Sequence, residues 1–150
     1  MSAPTAPTLD AEVLFAALRE GVRRLLSAAP DTALVGIWSG GVWLAARLHA
    51  ELGLAGEPGV ISSALHRDDF AERGLAGAGG TTKLGFAVEG QRILLIDDVL
   101  YTGRTIRAAM DSLIDFGRPR AIRLAGLIDR GHRELPIRAD HVGKNVPTSR

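Results

Sequence analysis

A chain of 150 residues with 46% hydrophobic and 23% charged residues has the composition of one globular domain, which excludes disorder as the default. A formal net charge of +1 leaves no global basic field, so any nucleic-acid binding has to come from a local patch. The absence of cysteine excludes disulfides, thiolate catalysis and zinc–thiolate sites.

Residues 1–9 read as a disordered tail. Met1 to Thr8 is rich in Ser, Ala, Pro and Thr and lacks the basic and apolar regions of a signal peptide. No apolar run reaches the ~18 residues of a membrane span. A cytoplasmic protein without membrane association is the simplest expectation. Residues 10–150 then read as one domain. Asp10 is a candidate N-cap, and Leu14, Leu18, Val22 and Leu25 follow at helical spacing, with Phe15 and Leu26 widening the stripe until Pro30. Leu34 to Trp38 reads as a buried strand, Ser39-Gly40-Gly41 as a tight loop, and Val42 to Leu52 as a helix closed by Gly53. Gly59 to Leu65 is a strand candidate. The stretch that follows is charged and then glycine-rich, and is expected to form a flexible lid over about residues 66–90. Within it Gly85 to Val88 reads as a short strand, with a turn at Gly90-Gln91.

Ile93 to Ile96 is an unbroken apolar run, the pattern of a central parallel strand covered on both faces. A helix marked by Ile106, Ala109, Met110, Leu113 and Ile114 ends near Gly117 and Pro119, and Ala121 to Ile128 is another strand. Alternating strands and helices predict an α/β fold with a mostly parallel sheet flanked by helices.

The chemistry gathers after Ile96. Asp97 and Asp98 stand where a buried strand ends, the edge at which open α/β sheets bind ligands. Val99, Leu100, Tyr101, Thr102, Gly103, Arg104 and Thr105 then lead directly into a helix. Glycine allows close backbone approach, and the N–H groups and dipole of a helix start favour an anion. Phosphate therefore suits the loop, while the two acids suit hydroxyls or a hydrated Mg²⁺. Two acids alone would also fit a solvated turn. Neither a P-loop nor a dinucleotide-binding glycine fingerprint is present.

The run Asp97 to Thr105 resembles the PRPP motif of type I phosphoribosyltransferases, and in this form that of the PyrR family of pyrimidine operon attenuators with uracil phosphoribosyltransferase activity. Asp129-Arg130-Gly131-His132-Arg133-Glu134-Leu135-Pro136-Ile137 and Gly143-Lys144-Asn145-Val146-Pro147-Thr148-Ser149 are similar to that family as well, as is His66-Arg67-Asp68-Asp69-Phe70. The resemblance spans roughly Asp10 to Arg150. It implies the type I phosphoribosyltransferase fold and the reaction of uracil with PRPP to UMP and diphosphate, with Mg²⁺ accompanying PRPP and reaching Asp97 and Asp98 through water.

By the same resemblance, Asp97 and Asp98 hold the ribose hydroxyls and the backbone of Tyr101 to Thr105 grips the 5′-phosphate. Ser39-Gly40-Gly41 is the pyrophosphate loop, where many members carry an arginine and this chain has Gly40. Arg67 in the lid forks onto pyrophosphate and joins Asp97 and Asp98 as a catalytic candidate, although its acidic neighbours also fit a surface charge cluster. Arg130 is the candidate at the uracil ring. From Arg130 to Arg150 there are five basic residues against two acids. His132, Arg133, Arg138 and Lys144 match the family's contacts to an mRNA stem-loop, a patch that solvated surface would also explain. Glu20 on the first helix stands where the family places a cation. The competing reading is an RNA-binding attenuator with little or no enzyme activity; salvage of another base is a further possibility. The family also implies a dimer or tetramer, and a further C-terminal strand expected beyond Arg150, at which this sequence ends.

Overall fold

The computed structural model describes residues 10–62 and 82–148. Helix α1 (Ala11–Ala28) starts where the Asp10 carboxylate accepts the Glu12 N–H at 2.9 Å, satisfying a donor that has no intrahelical partner. Its buried stripe is Leu14, Phe15, Leu18, Val22 and Leu26, with Leu25 only partly covered. Strand β1 (Thr32–Ile37), helix α2 (Gly40–Glu51) and strand β2 (Gly59–Ile61) follow. Strand β3 (Arg92–Leu100), helix α3 (Arg104–Ile114), strand β4 (Ala121–Asp129) and strand β5 (His141–Asn145) complete the order.

All five strands are parallel, in the order β2-β1-β3-β4-β5. The central strand β3 is covered on both faces, as its apolar run predicts. Ile93 and Leu95 pack with Ile106, Ala109 and Leu113 of α3, whereas Leu94 and Ile96 pack with Phe15, Leu18 and Val22 of α1 and Ala45 and Leu48 of α2. Alternation along the strand therefore feeds two cores. Arg47 ties the helices of the second face together. Its guanidinium lies 4.0 Å from the Phe15 ring centroid and pairs with Glu12 at 2.6 Å and Glu51 at 2.8 Å.

The structure departs from the sequence reading in four places. β3 does not stop at Ile96 but continues through Leu100, because Val99 and Leu100 keep pairing with Ile128 and Asp129 of β4. Asp97 and Asp98 thus lie within a strand. Gly85 to Val88 forms no strand; the pairing there is a single antiparallel bridge of Val60 with Lys83, and Leu84, Phe86 and Val88 pack onto the core without a ladder. β2 ends at Ile61, and the expected continuation to Leu65 lies largely outside the described residues. β5 was not expected, since His141-Val142-Gly143-Lys144-Asn145 contains a single large aliphatic residue. It is an edge strand held by α1, with the His141 ring seated on Gly21. Residues 63–81, most of the expected lid and Arg67 with it, lie outside the described residues, as do residues 1–9. Among the described residues no helix is long and apolar enough to cross a membrane.

Candidate active site

The strand order reverses direction between β1 and β3, and ligands of open parallel sheets bind at the carboxyl edge of such a switch point. β1 pairs with β3 only as far as Gly36 and Ile96. Beyond that, β3 keeps β4 on one side and meets the start of α2 on the other. Three glycines make the meeting possible. A Cβ at Gly41 would lie 2.1 Å from the Ile96 carbonyl oxygen, one at Gly36 would lie 2.5 Å from the Gly41 carbonyl oxygen, and one at Gly40 would lie 2.0 Å from Asp98 Oδ2. Gly40 and Gly41, expected in a tight loop, are instead the first residues of α2 behind the N-cap Ser39, and this helix start is laid directly on the acid pair; the preceding Trp38–Ser39 peptide is cis.

The two acids differ although they are adjacent. Asp97 is 7% exposed, whereas Asp98 is half-buried. Burial pushes the Asp97 carboxyl up to about 8, and its hydrogen bond with Asp98 adds to the rise, against a backbone bond from Asp98 that lowers it. Asp97 Oδ1 accepts the Asp98 N–H at 2.9 Å, and Asp98 Oδ1 accepts the Val99 N–H at 2.8 Å.

The loop after β3 has the geometry of an anion cradle. Gly103 adopts φ 98°, which a side chain would strain, and serves as the N-cap of α3. The helical ladder opens with the Arg107 N–H bonded to the Gly103 carbonyl at 2.9 Å, so the N–H groups of Thr105 and Ile106 precede it without an intrahelical partner. Thr102 Oγ1 accepts the Arg104 N–H at 3.2 Å, leaving its own proton free to donate. The Arg104 side chain turns aside to Glu134, at 2.8 Å.

The segment after β4 packs against this loop. The Arg130 guanidinium stacks 4.2 Å from the Tyr101 ring centroid and donates to Thr148 Oγ1 at 3.0 Å. The His132 ring meets Tyr101 edge-on at 5.6 Å and bonds the Thr148 carbonyl. Arg133 pairs with Asp129 at 2.6 Å and donates to the Tyr101 carbonyl. Ser39, Gly40, Gly41, Asp97, Asp98, the 99–105 segment and Arg130 are thus brought to one edge of the sheet. His132 and Arg133 lie beside them; Arg138 and Lys144 are exposed, Lys144 on β5. Asp129, Glu134 and Thr148 stood within the motifs read from the sequence but were given no role there, and Gly36 was not singled out. Only Gly36, a glycine inside a strand, carries a signal of close backbone approach.

Known proteins resemble the chain in both sequence and fold. The family described as phosphoribosyl transferase domain matches residues 13–149. A protein of Ralstonia nicotianae named bifunctional protein PyrR is 50% identical over 144 residues, which cover 95% of this chain and 82% of that one. Its namesake from Deinococcus deserti is 46% identical over 156 residues, 99% of this chain and 85% of that one. Among solved structures, a hypoxanthine-guanine phosphoribosyltransferase of Leishmania tarentolae in complex with GMP superposes with a TM-score of 0.70 at 18% identity, over 97% of this chain and 84% of that one. One from Bacillus anthracis gives 0.69 at 16% identity, over 95% and 82%. At these identities the likeness is one of fold.

Proposed function

We propose a reaction from family membership: the chain belongs to the PyrR family and is a phosphoribosyltransferase with the type I fold. The proposed reaction is transfer of the phosphoribosyl group from PRPP to uracil, giving UMP and diphosphate. The observation that carries it is the convergence of the Ser39-Gly40-Gly41 turn, the Asp97–Asp98 pair and the phosphate loop at the β1/β3 switch point. Two acids beside a helix-start anion cradle match a sugar that bears a vicinal diol at one end and a phosphate at the other.

In this reading Asp97 and Asp98 take the ribose hydroxyls, and N–H groups of Tyr101 to Thr105 with the Thr102 and Thr105 hydroxyls take the 5′-phosphate. The turn at Gly40 and Gly41 offers backbone to the diphosphate, with no side chain to neutralise it; Arg67 is the candidate for that charge. Arg130 and the backbone around it receive the uracil ring. Positive charge grows on the ribose as the C1′ bond to diphosphate lengthens, and Asp98 is the half-exposed acid nearest the turn. No covalent nucleophile is required. Magnesium fits the donor set: among the described residues no three His, Asp or Glu side chains cluster as a metal cage, whereas one or two carboxylates beside a polyphosphate suit a hydrated ion. When bound with PRPP near Asp97 and Asp98, it would supply neutralisation of the leaving diphosphate.

We further propose UMP-dependent binding of a pyrimidine-operon mRNA leader, through His132, Arg133, Arg138 and Lys144, and a dimeric or tetrameric assembly in the cytoplasm. The test of the enzyme is a panel of uracil, guanine and hypoxanthine with PRPP and Mg²⁺. Uracil alone should yield nucleotide, and Asp98→Asn should lower the rate at least ~10-fold. Nucleotide formed from a purine but not from uracil would overturn the assigned acceptor. Leader binding that ignores both UMP and sequence would overturn the regulatory part, and sedimentation of a monomer would overturn the assembly.

A further inference from the structure

We infer that Arg133 is a positioning residue for the phosphate loop: anchored by Asp129, it fixes the middle peptide of the cradle so that the loop's N–H groups face the ligand.

Three successive carbonyls of the loop are held from one side by the segment that follows β4. The Leu100 carbonyl accepts the Arg130 N–H at 2.9 Å. The Thr102 carbonyl accepts the Glu134 and Leu135 N–H groups at 2.9 and 3.2 Å. Between them, the Tyr101 carbonyl accepts from the Arg133 guanidinium. In a trans peptide a carbonyl and the following N–H point in opposite directions. Pinning these oxygens toward the β4 side therefore turns the N–H groups of Tyr101, Thr102 and Gly103 toward the β1 side. There the Gly40 turn and Asp98 lie, because β3 sits between β1 and β4 in the sheet.

The outer two anchors are backbone groups, which the fold supplies whatever the side chains. The middle anchor is a side chain. Arg133 is suited to it because one guanidinium can serve two acceptors at once. One terminal nitrogen donates to Asp129 Oδ2 at 2.6 Å and the other to Tyr101. Asp129 is itself fixed, its Oδ1 accepting the Gly131 N–H at 2.9 Å, and its side chain is only 14% exposed. The stem of Arg133 also passes close to Gly103, where a Cβ would lie 3.4 Å from Arg133 Cδ. The Asp129–Arg133 pair thus gives Arg133 a task at the nucleotide site, beyond the RNA contact proposed for it.

This inference rests on the assignment of the Tyr101 to Thr105 loop to the 5′-phosphate. The test uses the full chain and two probe pairs that differ only in that group, ribose 5-phosphate against ribose and UMP against uridine, with PRPP and uracil KM values alongside. In the wild type the phosphorylated member of each pair should bind more tightly. Arg133→Met should cut that preference by roughly ten- to a hundredfold and raise KM for PRPP in step, while uridine affinity and KM for uracil hold. Arg133→Lys, which can reach one acceptor but not both, should fall between, and it keeps the inference falsifiable should the Met variant fail to fold. A phosphate preference equal to the wild type's in the lysine variant, or in a folded Met variant, would overturn the positioning role. A wild type that holds ribose 5-phosphate no better than ribose would overturn the assignment of the loop and the role with it. Failure of uracil turnover, with the phosphate preference still lost in Arg133→Met, would count against the acceptor alone.

Discussion

Gly40→Ala is the sharpest probe of the proposed site, because the space for its methyl group is already occupied by a carboxylate oxygen of Asp98. A Cβ at residue 40 would lie 2.0 Å from Asp98 Oδ2 and 2.3 Å from its Cγ, whereas ordinary contact begins near 3.4 Å. The overlap exceeds 1 Å, and something must move. The start of α2 is the harder part to shift, since Ala45 and Leu48 are buried in the core and Arg47 is tied to Glu12 of α1. The carboxylate is the softer part, although rotating it breaks the Asp98 Oδ1 bond to the Val99 N–H. Loss of that bond costs about 1 kcal/mol of stability, a small part of a domain's total. A 1 Å misplacement of a reacting group costs about 10²-fold in rate, or ~3 kcal/mol of transition-state stabilisation. Gly40→Ala should therefore stay folded, with nearly the wild-type melting temperature, and lose about two orders of magnitude in kcat/KM for PRPP. Gly41→Ala is the contrasting control. Its methyl would meet the Ile96 carbonyl of the central strand, which cannot rotate away, so stability should fall first, by ~1–3 kcal/mol. Initial rates of UMP formation, paired with melting curves, separate the two outcomes. Wild-type kcat/KM in Gly40→Ala would refute the placement of Asp98 against the turn. The same geometry predicts that Gly40→Arg lowers the rate as Gly40→Ala does, because its Cβ displaces the acid before the guanidinium can assist.

Three further predictions rest on independent features. Asp97 holds its proton in the fold up to about pH 8, whereas an ordinary aspartate releases it near 3.8, so between those values the unfolded chain binds fewer protons and stability falls as pH rises. Asp97→Asn should remove that slope, and urea titrations at pH 5 and pH 9 should show the wild type losing on the order of a few kcal/mol more than the variant; equal losses would refute the buried state of Asp97. Gly21→Ala should destabilise by about 1–3 kcal/mol despite the ~1 kcal/mol that alanine gains in a helix, because its methyl would lie 2.0 Å from the His141 ring that bonds Ala17; a rise in melting temperature would show that β5 does not seat there. Leu94→Ala, in a fully covered position of β3, should cost about 2–5 kcal/mol by chemical denaturation, and a loss below 1 kcal/mol would contradict the two-sided core.

Much of this was legible in the sequence because it depends on local pattern. Asp10 announced its helix, and the apolar run at residues 93–96 announced a strand covered twice. The loop and helix start after β3 were legible for the same reason, since Thr102 to Thr105 carry both within a few residues. What escaped was set by partners distant in the chain. β3 ran on past Ile96 because β4 continues beside it, and nothing within Asp97 to Leu100 reports that. β5 is a strand because β4 and α1 hold it, not because its own residues favour one. Gly85 to Val88 failed in the opposite sense: it has a strand's composition, but among the described residues the pairing with β2 stops at the single Val60–Lys83 bridge. Likewise, the pairing of Arg104 with Glu134 and of Arg133 with the Tyr101 carbonyl joins residues about thirty positions apart, and no spacing rule connects them.

The asymmetry of the acid pair shows how the fold turns an ordinary dipeptide into a site. Two adjacent aspartates are chemically equivalent in an unfolded chain. On β3 they are not, because one carries on the buried row of the central strand while the next opens to the Gly40 turn. Burial keeps a proton on Asp97 up to about pH 8, and a protonated acid can donate as well as accept. A sugar diol presents both kinds of group. Separation of two like groups by their surroundings gives them different environments within one site. Here it follows from strand alternation and three glycines, and the chemistry inherits it from the packing.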